Sequence, residues 1–398
     1  MKATVDAMAL AGMLSALRLG DARFGKEKKE DIVGVNLCAT NNRIRVALAT
    51  CDSILTEYNL TAKAWKSDSA RYHIMAEIDA VEVVEEGARE LKFGEVQKIA
   101  RFCAGKGVDV ELDAIGSGAL TVRQGSRIAR IGCGCAKDDP VGFPGIDGAH
   151  VSLREVLSVI GPYAAPTDVC NCFHQWVSVE PSVKGTRIVW TDGAQLQIRT
   201  GDPDFPSPRC LIPLFALRCL AAFKQPGDDL AVAPDGIACG GVVIRYEAQQ
   251  PSEYPTCIGQ IVENLSASET VKTTCEALSG MLKQLASCTN DELVISAGFG
   301  KLRMLVYDAR TPRNPSEPLK RWEDCPRAET WCAAETEGGF SGVAVNPRRL
   351  KQILGSWKGP VTLRVSDKDS PILIDIENSG IRTVLMPLRA SFDKTTID

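Results

Sequence analysis

Fifteen cysteines and three histidines are the side chains of this 398-residue chain that could bind a metal or act as nucleophiles. The cysteines form no CxxC pair, and the CxC pairs Cys133/Cys135 and Cys170/Cys172 have no histidine at zinc-site spacing. The chain also lacks a GxxxxGKS/T phosphate loop and a GxSxG nucleophile elbow. We therefore expect no catalytic residue, no metal and no cofactor, and we expect reduced cysteines that act as small apolar side chains.

The segment WTDGAQLQI contains an Asp-Gly pair, Asp192-Gly193, between two stretches of alternating apolar residues. This arrangement predicts a tight turn between two strands. Thr191-Asp192-Gly193 could also belong to a site, and the residues alone leave that alternative open.

Positive charge is concentrated in segments with helical spacing. The chain has a net charge of −4, yet six such segments hold 12 Lys or Arg against 4 acidic residues. One-signed helices in an acidic chain indicate contact with a polyanion; ordinary solvated helix faces are the alternative. No aromatic platform or recognition helix accompanies them, which favours phosphate contacts without sequence preference. The segments are 7–18, 93–103, 152–160, 212–224, 268–286 and 346–358.

These helices belong to a repeat. Residues 93–131, 212–255 and 346–387 each read as a helix, a turn and alternating strands, and another helix–strand piece precedes each of them. The pattern predicts an α+β chain of three repeated domains, each with two helices and antiparallel sheets. We expect their bounds at 1–146, 147–264 and 265–398, with a short tail at 391–398. Residues 61–90 and 306–340 are expected to form long surface loops.

Four segments together resemble a known family: ELKFGEVQKIARFCAGKGVDVELDAIGSGALTVRQGSRIARI, WTDGAQLQI, SEYPTCIGQIV and the C-terminal VNPRRLKQIL…RTVLMPLRA. They are similar to the bacterial DNA polymerase III beta subunit, the sliding clamp or processivity factor, of which this chain looks like a divergent member. The resemblance implies a non-catalytic, ring-shaped, head-to-tail homodimer that encircles double-stranded DNA without reading its sequence. The implied DNA-facing residues are Arg18, Arg23, Lys98, Arg101, Arg154, Arg218, Lys224, Lys272, Lys283, Arg348, Arg349 and Lys351.

The same resemblance implies a groove for short linear motifs of the replicative polymerase, the clamp loader and other clamp-motif proteins. The groove residues are Phe173, Thr191, Gly193, Leu196, Pro255, Gln260, Val384, Leu385, Met386, Pro387, Leu388 and Arg389. Ala194-Gln195 stand where the family commonly has His-Arg, so peptide anchoring is expected to differ. The alternative for the terminal run is a last strand that packs only on its own core.

The resemblance also implies a dimer interface between an edge strand of the first domain and the third domain. Its residues would be Ile128, Ile131, Leu285 and Cys288. A clamp-fold scaffold or clamp antagonist, which binds replication proteins without encircling DNA, is the alternative function. The first residues lack the plan of a signal peptide, and no stretch is long and apolar enough for a membrane helix, so we expect a cytoplasmic, nucleoid-associated protein without membrane contact.

Overall fold

The structure, a computed structural model, describes most of the chain. The residues outside the description are 17–34, 60–63, 105–107, 115, 117, 136–144, 161–174, 184, 202–204, 206–207, 224–226, 248–260, 263–264, 266–268, 287–291, 308–326, 356, 367–369 and 389–398.

The contacts of the chain divide it into two compact units, each assembled from three segments. Unit 1 consists of Met1–Leu157, Gln175–Pro181 and Pro203–Ser252. Unit 2 consists of Ser158–His174, Ser182–Asp202 and Glu253–Asp398. This division into two units does not test the three domain ranges expected from the repeat, which stay a prediction.

Each helix with described bounds falls inside a segment where the sequence predicts one. The helices are α1 (Ala7–Ala16), α2 (Phe93–Cys103), α3 (Leu153–Ser158), α4 (Leu214–Ala221), α5 (Cys275–Gln284) and α6 (Pro347–Leu354). None of the helices that the structure describes has the length and apolar content needed to cross a membrane.

Unit 1 contains two antiparallel sheets and the antiparallel strand pair formed by Trp176–Ser182 and Cys210–Pro213. The strands are β1 (Lys2–Val5), β2 (Val35–Thr40), β3 (Arg43–Asn59), β4 (Ala64–Asp79), β5 (Glu82–Glu85), β6 (Gly87–Leu91), β7 (Val110–Asp113), β8 (Ala119–Gln124), β9 (Arg127–Gly132), β10 (Gly134–Cys135), β11 (Ala149–Ser152), β12 (Trp176–Ser182), β15 (Cys210–Pro213), β16 (Asp229–Ala233), β17 (Gly236–Cys239) and β18 (Val242–Tyr246). The sheet orders are β5-β1-β7-β8-β9 and β10-β6-β2-β3-β4-β18-β17-β16-β11, and β12 pairs with β15.

The nine-stranded sheet joins parts of the chain that the repeat assigns to different domains. β4 pairs with β18, so that Ile74 lies opposite Ile244 in the ladder. Both side chains are buried. The first and second predicted domains therefore share one continuous main-chain ladder.

Unit 2 contains a seven-strand ladder and a four-stranded sheet, both antiparallel. Its strands are β13 (Gly185–Thr191), β14 (Gln195–Gly201), β19 (Glu269–Thr274), β20 (Leu293–Gly298), β21 (Lys301–Tyr307), β22 (Arg327–Ala333), β23 (Glu335–Glu337), β24 (Phe340–Val345), β25 (Pro360–Val365), β26 (Ile372–Ile376) and β27 (Ile381–Leu385). The orders are β13-β14-β27-β26-β25-β19-β23 and β22-β21-β20-β24.

Helix pairs cover the sheets with the apolar stripes that the sequence predicts. In unit 1, α1 packs on α2, and Leu10 and Ile99 are fully buried. In unit 2, α5 packs on α6, and Leu278 and Leu354 join a core that includes Leu363 of β25. In α2, α5 and α6 the apolar stripe occupies one face, and the opposite face stays available to solvent.

The start of α6 follows directly from its sequence. Asn346 is the N-cap, and its side-chain oxygen accepts hydrogen bonds from the amides of Arg348 (3.0 Å) and Arg349 (3.2 Å). Pro347 occupies the first helical turn, where its missing N–H costs nothing. These bonds fix the direction in which the first turn presents its two arginines.

Two sequence predictions about elements are wrong. Residues 64–79, 82–85 and 87–91 form β4, β5 and β6, and 327–345 carries β22, β23 and β24, so neither region is one long loop. The segment expected as a helix from 268 begins as strand β19, because Val271 pairs with Leu363 across the ladder. Helix α5 starts only at Cys275, where the Thr274 hydroxyl accepts a hydrogen bond from the Ala277 amide (3.2 Å).

Candidate functional site

A tight turn joins β13 to β14 at the predicted Asp-Gly pair. Gly193 has a φ of +82°, which strains any residue with a side chain. The Thr191 hydroxyl donates to the Gln195 carbonyl (2.8 Å) and accepts from the Gly193 amide (3.1 Å). Asp192 Oδ1 accepts from the amides of Ala194 (2.9 Å) and Gln195 (2.8 Å). The turn is therefore held by its own side chains.

The C-terminal strand β27 runs beside this turn. It pairs with β14, with Leu196 opposite Val384 and Gln195 opposite Leu385. Beyond the strand, the Met386 amide donates to the Ala194 carbonyl of the turn (2.9 Å). The family resemblance places Thr191, Gly193, Leu196 and the terminal run in one groove, and the structure brings these residues together within unit 2.

Burial separates the terminal run into two parts. Val384 and Leu385 are 1% and 0% exposed and belong to the strand core. Met386 is 43% exposed, and Pro387 and Leu388 are half-buried. The alternative of a strand packing on its own core describes the first part, and only the second part can offer apolar surface to a partner.

A second support holds the exposed part. The Leu388 amide donates to the carbonyl of Ala344 in β24 (2.7 Å), two residues before the N-cap of α6. Main-chain hydrogen bonds therefore hold the segment Met386–Leu388 at both ends, to the turn at Met386 and to β24, just before α6, at Leu388.

Asp192 of the turn and Arg349 of α6 form an ion pair. The Arg349 guanidinium contacts Asp192 Oδ2, and the Asp192 side chain is fully buried. The Arg349 side chain is only 20% exposed. The sequence gives Arg349 a DNA-facing position but contains no local signal for this contact, because its partner lies 157 residues away.

The family that the sequence resembles commonly has an Arg at the position of Gln195. The Gln195 side chain is buried here, with 2% of the residue exposed. Its side-chain nitrogen finds no hydrogen-bond partner among the described residues. A buried donor in this state is a candidate to meet an acceptor of a bound chain. The predicted groove residues Phe173, Pro255, Gln260 and Arg389 lie outside the described residues.

The predicted DNA-facing cations lie mostly on the exposed faces of helices. The described helices carry eight Lys or Arg against three Glu. Exposed members are Lys98, Arg101, Arg154, Lys283, Arg348 and Lys351, whereas Arg218 is half-buried. Lys272 is exposed but lies on strand β19 rather than on a helix. Arg18, Arg23 and Lys224 lie outside the described residues.

Lys98 and Arg154, two of these basic residues, make contacts with nearby acidic side chains. Lys98 forms an ion pair with Glu95 one turn earlier on α2 (2.6 Å). Arg154 opens α3, where its amide donates to Asp228 (2.9 Å). This backbone hydrogen bond is the largest cause that lowers the pKa of Asp228, and the Ser152 hydroxyl adds to it. Helix α4 carries Arg218 as its single basic residue.

The predicted dimer residues differ in their exposure. Ile128 is 57% exposed on β9, which is an edge strand of its five-stranded sheet among the described strands. Ile131 and Leu285 are 3% and 2% exposed, and Cys288 lies outside the description. The sequence prediction missed β22, which is an edge strand of the four-stranded sheet and exposes 60% of Trp331. No local signal marked this strand, because its pairing with β21 is what identifies it.

Most of the cysteines whose side chains the structure describes are buried, and none of these forms a disulfide. Burial raises the pKa of the Cys103 thiol to about 11, against a smaller opposing effect of Arg127. A thiol with this pKa is a poor nucleophile at neutral pH.

The solved structures similar to this fold include bacterial DNA polymerase III beta subunits. The sliding clamp from Caulobacter crescentus is 18% identical, with a TM-score of 0.71 over 98% of this chain and 100% of that chain. The beta subunit of DNA polymerase III from Thermotoga maritima is 16% identical, with a TM-score of 0.70 over 98% and 99%. The Pseudomonas aeruginosa sliding clamp bound to griselimycin is 16% identical, with a TM-score of 0.71 over 98% and 100%.

No family model and no curated protein sequence matches the chain. The solved structures are 12–19% identical to this chain, so the similarity is evidence for the fold. It covers nearly the whole length of the chain. The resemblance in the sequence is confirmed at that level: the chain has the α+β fold of the DNA polymerase III beta subunit, the sliding clamp.

Proposed function

We propose that this protein is a sliding clamp, a non-catalytic ring that tethers a replicative polymerase to duplex DNA in the cytoplasm. The observation that carries the proposal is the placement of charge on this fold. An acidic chain exposes cations on the faces of its helices, and in the resembling family those faces line the hole of the ring.

Weak contacts suit this task physically. Lysines and arginines that touch phosphates bind any sequence and release counterions, so the protein can move along the duplex. A tight interface with base edges would fix it at one site. The groove at Met386–Leu388 would then take short apolar motifs of the polymerase, the clamp loader and other partners with exchangeable affinity.

The topology of the DNA gives the direct test. We expect the protein, once loaded by a clamp loader, to stay on a nicked circular plasmid and to leave it within minutes after the circle is cut. The measurement is gel filtration of labelled protein with either DNA form. Equal loss from circle and line would contradict encirclement.

Ring closure requires a partner for the exposed edge strands. We propose that β9 of one protomer pairs with β22 of its partner, because each is an edge strand of its sheet among the described strands, and an edge strand can pair with another chain. Ile128 on β9 and Trp331 on β22 are 57% and 60% exposed and supply apolar contacts.

Ile128→Asp is expected to convert a dimer of about twice 42.9 kDa into a monomer, because it places a charge in the proposed apolar contact. Light scattering measures the mass. Val84→Asp is the matched control, since Val84 is 60% exposed on β5, the opposite edge of the same sheet. Loss of the dimer in both variants, or in neither, would contradict the assignment of β9.

A clamp-fold scaffold or antagonist is the second candidate. The weak charge of α4, with Leu214 and Phe215 buried at its start, favours it over a fully DNA-lined ring. A wild-type protein that is monomeric by light scattering but still binds a clamp ligand would support this function, and a dimer retained on circular DNA would exclude it.

A further inference from the structure

Two consecutive arginines begin α6 and have different surroundings. Arg348 is exposed, whereas the Arg349 side chain is only 20% exposed. Both backbone amides are bound by the Asn346 cap, so the different directions of the two side chains are set by the helix itself. Arg349 reaches Asp192, the fully buried carboxylate of the β13–β14 turn.

Asp192 connects this contact to the exposed terminal segment. One carboxylate oxygen contacts Arg349, and the other accepts the amides of Ala194 and Gln195. The carbonyl of Ala194 in turn accepts the Met386 amide at 2.9 Å. The guanidinium, the carboxylate, the turn and the terminal segment are therefore linked by bonds in series.

The strand that precedes Arg349's helix supports the same segment. Helix α6 follows β24 directly, and Ala344 of β24 accepts the Leu388 amide at 2.7 Å. The ion pair thus ties the two supports of Met386–Leu388 to each other. A fully buried carboxylate that loses its cation is left uncompensated, so the turn is expected to move rather than keep its geometry.

We infer that Arg349 is a positioning residue for Met386–Leu388, acting through Asp192, and that its guanidinium does not bind DNA phosphates. The inference rests on the proposed function only where it concerns the affinity of the groove for a partner. The effect of Arg349 on the order of Met386–Leu388 can be measured without any ligand.

The test is amide hydrogen exchange of the full chain. In Arg349→Gln, the amides of Met386 and Leu388 are expected to exchange about tenfold faster, because the turn that holds the segment opens more often. Lys358→Gln, which removes an exposed cation just after the same helix, is expected to leave both rates unchanged. Leu363 and Ile374, in the core ladder, serve as internal references.

Unchanged exchange at Met386, or equal acceleration at the two reference amides, would overturn the inference. If Arg349→Gln does not fold, the double variant R349Q/D192N leaves no buried unpaired charge and gives the same readout. The double variant still lacks the ion pair that ties the turn to α6, so it is expected to lose protection at Met386 as well, and full protection there would count against the coupling.

Griselimycin, the ligand of the Pseudomonas aeruginosa clamp, is the probe for the groove. Arg349→Gln is expected to weaken its binding about tenfold relative to Lys358→Gln. If the wild type does not bind griselimycin but the exchange effect is present, the proposed groove fails and the inference stands. If the wild type binds and neither readout changes, the inference alone fails.

Discussion

Met386→Asp is expected to lower the affinity for griselimycin or a clamp-motif protein by more than about a hundredfold while the fold and solution mass stay native. Met386 is 43% exposed, so the free protein tolerates a carboxylate there. A bound apolar motif would bury that charge without a partner, and such burial is costly. Calorimetry measures the affinity, and a melting curve checks the fold.

Val183→Asp is the control for this prediction, because Val183 is a fully exposed apolar residue of the same unit. It changes charge and surface polarity in the same way but lies outside the proposed groove, so native affinity is expected. Native affinity in Met386→Asp as well would mean that partners bind elsewhere on the chain.

Deleting the whole terminal run would test the groove poorly. Val384 and Leu385 are core residues of β27, which lies between β14 and β26 in the ladder. Truncating one such buried side chain to Ala costs about 2–5 kcal/mol, so a deletion of both would unfold the sheet. The point substitution separates binding from stability, and this distinction comes from burial that the sequence pattern did not resolve.

Local signals made several features predictable. Asn346-Pro347 predicts the start of α6 because a side-chain acceptor and a missing N–H act within one turn. The Asp192-Gly193 turn depends on bonds among the five consecutive residues 191–195. The helical stripes of α1 and α2 also follow from spacing alone.

The other predictions failed because partners far away in the sequence determine the structure at those positions. Val271 and Cys275 stand four residues apart, which fits a helix, but Val271 lies in β19 because β25 offers it a ladder partner 92 residues later. Strand β22 stands in a region rich in proline and charge, and only its pairing with β21 identifies it. The contact of Arg349 with Asp192 is of the same kind, since no local rule connects a helix start to a distant turn.

The double charge reversal Arg348→Glu with Lys351→Glu is expected to weaken binding to a linear duplex and to reduce its dependence on salt. Both side chains are exposed on the first turns of α6. Each lost phosphate contact lowers the slope of log affinity against log salt by about 0.9, so the slope is expected to fall by about 2 for each protomer. Fluorescence anisotropy across a salt series measures it.

The control for this reversal is Arg123→Glu with Arg382→Glu, which makes the same charge change on exposed strand residues of β8 and β27. Native slope in the control and a reduced slope in the α6 variant would separate local phosphate contact from net charge. Arg349→Gln belongs in the same series, and it is expected to leave the slope native because its guanidinium is bound to Asp192. An unchanged slope after reversal of Arg348 and Lys351 would mean that α6 does not face the duplex, since phosphate contact and counterion release cannot be separated.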